Sequence, residues 1–354
     1  MISNESQNLV ENYDFDLPRE LIAQHPLANR ADAKLMVVDR AMNRIEHQHV
    51  RDLPEILRRG DCIVQNDSRV ILAKLNGFRV STGGKWSGLF LEQDAQGLWR
   101  LLGRTKGKLQ PGELIRLIDR EGGQACELTL LKKFDDGSWM AKCSSDQSAY
   151  QVLDSVGSVP LPHYIRGGNM VDEDLERYQT VYATQQGSIA APTAGLHFTP
   201  SLIEQLRTLG IKLSRVTLHV GVGTFKPIDV DCIDEHRMHK EFGSISEEAS
   251  AAINSAKQAG GRVIAVGTTS ARVLETAAIS GSVSAWQGAT NLYIHPPYQF
   301  RAIDGLMTNF HLPRSTLLVL VRTFGGDELI RRAYALAIEQ RYRFFSYGDA
   351  MLIV

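Results

Sequence analysis

The chain is 354 residues long, 43% apolar and 22% charged, with 30 glycines and 12 prolines, the make-up of an ordinary globular protein with room for about two or three domains. Its 39 basic and 40 acidic residues give a formal net charge of −1, which excludes a global field that gathers nucleic acid and leaves only local patches for a polyanion. The four cysteines, Cys62, Cys126, Cys143 and Cys232, form no CxxC pair and no Cys/His cluster at ligand spacing, so neither a zinc site nor a disulfide framework is suggested and a cytosolic setting is expected.

The start, MISNESQNLV, lacks a basic segment and a long apolar run, and no later stretch approaches about 18 uninterrupted apolar residues, so neither export nor a membrane span is expected. The texture changes near residue 66 and again near residue 150. Before the first change the apolar strand CIV empties into VQNDSRV, residues 64–70, where Asn66, Asp67, Ser68 and Arg69 gather at a strand end. Such residues also make a plain Asx turn at a domain junction, because Asn, Asp and Ser bond their own backbone.

From about 70 to 145 come short apolar or alternating runs, among them VILAKLNGFRV, WSGLFLEQD, ELIRLID and CELTLLKKF, punctuated by STGGK, DAQG, QPGE, EGGQ and FDDGS. Turn signals roughly every 10 to 12 residues imply a small antiparallel β-barrel or sandwich. Within it WRLLGRTKGK, residues 99–108, carries Arg100, Arg104, Lys106 and Lys108 with no acid among them. A solvated strand pair bears surface cations for solubility in the same way.

Beyond residue 150 helix and strand signals alternate. APTAGLHFTP, residues 191–200, sets His197 among apolar neighbours with Thr193 and Gly195 before it. The small residues would let a ligand approach, and the imidazole can take or give a proton near neutral pH. A buried, hydrogen-bonded histidine is the competing reading. Thr199 is placed to cap a helix with Pro200 at its first position and Gly210 at its end, followed by the strand IKLSRVTLHV. LHVGVGTFKP, residues 218–227, puts His219 and Lys226 on either side of Gly221 and Gly223. It lacks the third glycine of a dinucleotide fingerprint, so it reads as a tight turn or as glycines that bend a sheet.

Ser246 precedes the helix EEASAAINSAKQAGG, closed by Gly260; RVIAV then runs as a buried strand into GTTSARVLETAA, a loop followed by another helix. The free N–H groups of that helix start, with Thr268, Thr269 and Ser270, can hold a carboxylate or a ribose. Residues 291–326 pack His295, Tyr298, Phe300, Arg301, Asn309, Phe310, His311, Arg314 and Arg322 around prolines and an apolar strand. Aromatics interleaved with arginines suit stacked bases and phosphates, and suit a loop over a core equally. The terminal RYRFFSYGD adds Arg341 and Arg343. The fold class is therefore α/β: residues 1–65 and 150–354 form one discontinuous mixed α/β body, the catalytic domain, and residues 66–149 an inserted small antiparallel β-barrel.

In this order FDLPRELIAQHP, RADAKLMVVDR, VQNDSRVILAKLNG, APTAGLHFT, TLHVGVGTFKP, GTTSARVLE, YIHPPYQF, LMTNFHLPRSTLLVLV and YRFFSYGDAMLI closely resemble the S-adenosylmethionine:tRNA ribosyltransferase-isomerase family of queuosine biosynthesis, over essentially the whole chain. The resemblance implies a mixed α/β domain with an inserted β-barrel. It implies transfer and isomerisation of the ribosyl moiety of S-adenosylmethionine onto 7-aminomethyl-7-deazaguanine at the wobble position of tRNA, giving epoxyqueuosine, adenine and methionine. A proton leaves the 5′ carbon, adenine departs as the ribose opens, and the base's amine attacks.

On that footing His197, His219 and His311 are the candidate proton carriers, His197 first, because a general base and an acid are needed. Asn66, Asp67, Ser68, Arg69, Thr193, Gly195, Gly221, Gly223, Thr268, Thr269, Arg272, Tyr298 and Asn309 are candidate substrate contacts, with Thr268, Thr269 and Arg272 placed for a ribose hydroxyl or carboxylate. Arg100, Arg104, Lys106, Lys108 and Arg314 are candidate tRNA contacts. The loops before and after the insertion should converge in space. No metal and no redox cofactor is implied, S-adenosylmethionine being a co-substrate; the partners are tRNA and S-adenosylmethionine, with no membrane and no obligate protein partner, in the cytoplasm. An S-adenosylmethionine-dependent tRNA methyltransferase would release S-adenosylhomocysteine instead and lacks its glycine-rich fingerprint here; a non-catalytic tRNA-binding protein would leave the polar loops without a purpose.

Overall fold

The computed structural model describes residues 8–221, 223 and 228–354. Lys226 therefore lies outside the described residues. Two compact units are present: one comprises Met1–Arg69, Gln179–Gln185 and Ala191–Val354, the other Val70–Tyr178 and Gln186–Ala190. The strands in chain order are β1 (Lys34–Asp39), β2 (Arg44–His49), β3 (Cys62–Asn66), β4 (Ser68–Val70), β5 (Lys74–Arg79), β6 (Lys85–Gln93), β7 (Trp99–Thr105), β8 (Leu114–Ile118), β9 (Gln124–Lys133), β10 (Trp139–Cys143), β11 (Gln185–Ser188), β12 (Lys212–His219), β13 (Glu241–Ile245), β14 (Val263–Val266), β15 (Trp286–Thr290), β16 (Gly305–Asn309) and β17 (Ala350–Ile353). The helices of two turns or more are α1 (Ala149–Val156), α2 (Pro200–Thr208), α3 (Glu247–Gln258), α4 (Gly267–Ala277), α5 (Thr316–Gly325) and α6 (Asp327–Glu339). Among the described residues no helix is long and apolar enough to cross a membrane.

The larger unit is built on a mixed sheet, nine-stranded among the described residues, in the order β15-β13-β12-β3-β14-β16-β17-β1-β2. Its centre is parallel: β12 pairs with β3, β3 with β14, and β14 with β16. Strands covered on both faces read as continuous apolar runs, and CIV and VIAV are buried throughout in β3 and β14. The flanking helices start where the sequence signals them. Thr199 accepts from Leu202 N at the head of α2, and Ser246 from Ala249 N at the head of α3. Gly210 and Gly260, at φ +78 and +81, end these helices in the left-handed region that favours glycine. Phe198, Leu202 and Leu206 then pack with Leu35, Ile63, Ile264, Met307 and Leu352 in one core.

Two expectations give way here. No loop separates β14 from α4: the helix begins at Gly267 directly after Val266, because a φ of +87 at Gly267 turns the chain in one residue. The apolar run LLVLV belongs to α5, capped by Ser315 accepting from Leu318 N, and the strand of that region is β16. Leu318, Val319, Leu320 and Val321 are all buried, and a helix covered on all sides leaves the same unbroken apolar run as a buried strand.

The smaller unit is a closed barrel in the order β10-β7-β6-β5-β8-β9. Burial alternates along β6, and its buried residues join Trp99, Leu101, Ile115, Leu117, Leu128, Leu130 and Trp139 inside. A Cβ at Gly88 would stand 2.1 Å from the Trp86 ring, so only glycine lets that indole lie across the strand. Sequence texture delimits the insertion at 66–149, whereas the compact unit runs 70–178 with 186–190. The extra residues are helical or irregular apart from the short strand β11 and so carry little strand texture, yet α1 gives Ala149, Val152, Leu153 and Val156 to the barrel core.

Candidate active site

The four parallel strands end on one edge of the sheet, β12 at His219, β3 at Asn66, β14 at Val266 and β16 at Asn309, the edge at which open α/β sheets bind ligands. The segments 66–69, 219–221, 267–272 and 309–311 all leave from it. The 193–197 segment reaches the same edge: Thr193 Oγ1 donates to Asn309 Oδ1 at 2.8 Å, and a Cβ at Gly267 would lie 3.7 Å from Ala194 Cβ.

Around β3 and β16 the polar groups are tied to one another. Asn66 bridges two strands, donating to Leu218 O and accepting from Leu218 N, each at 3.0 Å, and it also accepts from Ser68 N at 3.1 Å in an Asx turn. Asp67 accepts from Thr184 Oγ1 at 3.0 Å and Thr217 Oγ1 at 2.7 Å. Asn309 Nδ2 lies 3.3 Å from His197 Nε2 and donates to Phe345 O at 3.2 Å. His197 is 5% exposed. Burial pulls its pKa down to about 4; a hydrogen bond with the Arg30 backbone opposes this and the Arg30 and Arg343 charges reinforce it, so the ring is neutral at pH 7 and titrates well below neutrality. Gly195 has no side chain because Tyr182 fills the space: a Cβ would stand 2.1 Å from its hydroxyl. His311 Nε2 shares a 2.7 Å hydrogen bond with Thr308 Oγ1, and burial pulls its pKa to about 3.

Around β12 and the start of α4 the polar groups are only half tied. Gly223, His236, His239, Glu241, Thr268, Thr269, Arg272 and Thr316 line one cleft. Glu241 and Arg272, 6% and 5% exposed, form an ion pair through Arg272 Nη1 and Glu241 Oε2. Glu241 Oε1 accepts from Gly221 N at 3.0 Å, and Arg272 Nε donates to Leu292 O at 3.1 Å. Arg272 Nη2 and Thr269 Oγ1 remain buried with no partner among the described residues. No side chain caps α4, so its first-turn N–H groups and the positive end of its dipole add to the donors there. A Cβ at Gly223 would stand 2.2 Å from the His239 ring, which accounts for the glycine. His219 Nδ1 is likewise buried without a partner among the described residues, and burial lowers its pKa while the Asp67 charge opposes the shift.

Other candidates sit elsewhere. Tyr298 donates to Glu275 at 3.0 Å, near the far end of α4 from Thr268, in a loop whose Arg301, Ala302 and Ile303 N–H groups also bond Glu275. Arg69 and Arg314 are exposed. Arg322 is committed to Asp327 and to the face of Tyr13, 4.1 Å from the ring centre. On the barrel Arg100 is held by Glu92 at 3.2 Å and Asp136 at 2.6 Å, acids outside the run 99–108, while Arg104, Lys106 and Lys108 are exposed. His236, His239 and Glu241 are functional candidates that the sequence reading passed over. Their signal was two histidines three apart and a glutamate opening a strand. Among the described residues no three metal-ligating side chains gather.

The chain matches a family described as queuosine biosynthesis protein over residues 10–353. It is 46% identical over 341 residues to an S-adenosylmethionine:tRNA ribosyltransferase-isomerase from Caldanaerobacter subterraneus subsp. tengcongensis, covering 96% of this chain and 98% of the relative. A protein of the same name from Symbiobacterium thermophilum is 47% identical over 346 residues, covering 98% and 99%. The solved structure of S-adenosylmethionine tRNA ribosyltransferase from Thermotoga maritima is similar with a TM-score of 0.56 and 35% identity, over 97% of this chain and 100% of that one.

Proposed function

The chain belongs to the queuosine biosynthesis protein family and carries S-adenosylmethionine:tRNA ribosyltransferase-isomerase activity, and from that premise we propose that S-adenosylmethionine is bound and opened at the carboxyl edge of the nine-stranded sheet. The observation that carries the reading is the pair of buried, unpartnered donors in one cleft, Arg272 Nη2 and Thr269 Oγ1. A buried donor left unpaired costs about 1–3 kcal/mol, and a polar ligand removes that cost when it binds.

The chemistry then divides among named groups. His219, kept neutral by burial and with Nδ1 open, takes the proton from the 5′ carbon that the adjacent sulfonium has acidified. Asp67, oriented by Thr184 and Thr217, stabilises the imidazolium that forms. Thr193, Asn309 and His197 hold their loop against the end of β16 and keep the floor of the edge rigid. Adenine leaves as the ribose opens, taking up the proton that His219 removed. The amine of 7-aminomethyl-7-deazaguanine in the tRNA forms the new bond to the opened ribosyl group and gives up a proton, and methionine leaves as the carbon–sulfur bond breaks and the epoxide closes. No electron is gained or lost overall, so the reading requires no redox group. Both substrates are found in the cytoplasm, which is where the reaction is placed.

The exposed Arg104, Lys106 and Lys108 of the barrel meet tRNA phosphates, whereas Arg100 already spends its charge on Glu92 and Asp136. Replacing the three with Ala should lower the slope of log affinity against log salt by roughly 0.7 to 0.9 for each phosphate no longer neutralised, and Arg100→Ala should leave it unchanged. An unchanged slope in the triple variant would remove the barrel run from the tRNA site.

The reaction itself is tested by incubating the protein with S-adenosylmethionine and tRNA bearing the deazaguanine. Free adenine, methionine and the epoxide-bearing nucleoside are expected. S-adenosylhomocysteine would make the protein a methyltransferase, and tRNA binding without turnover would make it a binding protein.

A further inference from the structure

We infer that the cleft at the start of α4 receives the α-carboxylate of S-adenosylmethionine, through Arg272 Nη2, Thr269 Oγ1 and the first-turn N–H groups, and that Glu241 is a positioning residue that aims the guanidinium. The inference rests on the proposed binding of S-adenosylmethionine at this edge and specifies which end of the molecule meets which groups. The polar atoms left over in the cleft are donors: Arg272 Nη2 and Thr269 Oγ1 have no partner among the described residues. Glu241, the acidic side chain lining the cleft, has both oxygens in use, one on Gly221 N and one on Arg272 Nη1. A site whose one buried carboxylate is already spent and whose guanidinium keeps an unspent N–H corner suits an anion.

A ribose hydroxyl fits less well, since it carries no charge to reward the guanidinium and its single oxygen cannot meet Arg272 Nη2 and the Thr269 hydroxyl as squarely as a carboxylate's two. A carboxylate presents two oxygens and no proton at pH 7. The Glu241–Arg272 pair is neutral as a unit, so the attraction comes from directed N–H groups and the helix dipole, and direction depends on Glu241. With Nη1 fixed on Glu241 and Nε on Leu292 O at 3.1 Å, the planar guanidinium has one orientation, and Nη2 is the corner that remains. The uncapped helix start agrees, because a Ser or Asp cap would occupy the N–H groups that a ligand carboxylate needs.

The test compares S-adenosylmethionine with its decarboxylated analogue, the propylamine sulfonium, by calorimetry. Thr269→Val removes a hydroxyl that has no partner among the described residues and leaves the Glu241–Arg272 pair alone, so its melting temperature should equal or exceed that of the natural protein. Its dissociation constant for S-adenosylmethionine should rise roughly 10- to 100-fold, the weight of a hydrogen bond to a charged group. The analogue should bind weakly to both proteins and equally well. Glu241→Gln should raise KM for S-adenosylmethionine and leave kcat close to the natural value, a split that a merely structural loss would not give.

Equal weakening of both ligands by Thr269→Val would overturn the carboxylate assignment while leaving S-adenosylmethionine in the cleft. No weakening of either would remove the substrate from the cleft and take the underlying reading with it. Loss of tRNA affinity with S-adenosylmethionine binding intact would assign the donors to a phosphate and overturn the inference.

Discussion

Two halves of one sheet edge treat the same kinds of residue in opposite ways. At the end of β16 a chain of hydrogen bonds runs from Thr193 through Asn309 to His197, a histidine that burial holds neutral. At the end of β12 and the start of α4, His219, Thr269 and Arg272 each keep one buried polar atom without a partner among the described residues. Both halves carry a histidine and a threonine, so residue type does not distinguish them. What differs is the hydrogen-bond account. A completed network rigidifies a fold, whereas an unpaired buried donor weakens the free protein and is useful only when something arrives to pair it. Under the proposed function the first half holds the edge in shape and the second meets substrate.

The sharpest way to break that division is at the two histidines. His219→Gln should lower turnover by roughly 10² to 10⁴, the range for a lost general base, while its melting temperature stays near that of the natural protein because Nδ1 has no partner among the described residues to lose. Steady-state release of adenine measures it. If turnover survives in His219→Gln and collapses in a folded His197→Ala, the two halves exchange roles.

The paired half has a pH signature of its own. The His197 pKa is about 4 in the folded protein against roughly 6.5 when unfolded, so between these values the unfolded chain binds the extra proton and folding weakens as pH falls. The contribution is fully present above about pH 6.5 and amounts to about 3 kcal/mol lost by pH 4. His311, pulled to about 3, adds a loss of the same sign. Urea titrations at several pH values should show a shallower acid slope in His197→Asn than in the natural protein. Equal slopes would mean that the ring is more open to water than its place behind Asn309 allows.

The sequence disclosed the scaffold more readily than the roles. Thr199, Pro200 and Gly210 marked α2 because caps and stops are local chemistry, and the turn clusters between 81 and 137 marked the barrel for the same reason. The run LLVLV was ambiguous because a helix buried on all sides has no polar face to give it a period. Which loops share the carboxyl edge of the sheet was legible from Asn66, His219, Thr268 and Asn309, since polar residues at the ends of apolar strands are conspicuous. Their division into paired and unpaired was not, because Asn66 spends its amide on Leu218, 152 positions away, and the bond between Asn309 and His197 spans 112. Arg100 shows the same limit from another side. Its run holds no acid, yet Glu92 and Asp136 reach it across the neighbouring strand and from a turn. Glu241 and His239 were missed because nothing local marks a strand-opening glutamate as the partner of an arginine 31 residues on.

The smallest expected effect falls on the border between the halves, at Ser68. Its N–H belongs to the paired side, donating to Asn66 Oδ1 at 3.1 Å, but its hydroxyl is fully buried and has no partner among the described residues. Ser68→Ala removes only that oxygen and keeps the backbone bond, so the free protein should hold its stability or gain by less than about 1 kcal/mol, as expected when an unsatisfied buried group is deleted. If the hydroxyl belongs with Thr269 and Arg272 in meeting substrate, affinity for S-adenosylmethionine or tRNA should fall roughly two- to tenfold, the worth of one neutral hydrogen bond. Stability and affinity then move in opposite directions in a single variant, a combination that neither a packing defect nor a silent surface change produces. A loss of stability of about 1 kcal/mol or more, with both affinities intact, would place Ser68 wholly in the paired network and move the border between the two halves past the end of β3.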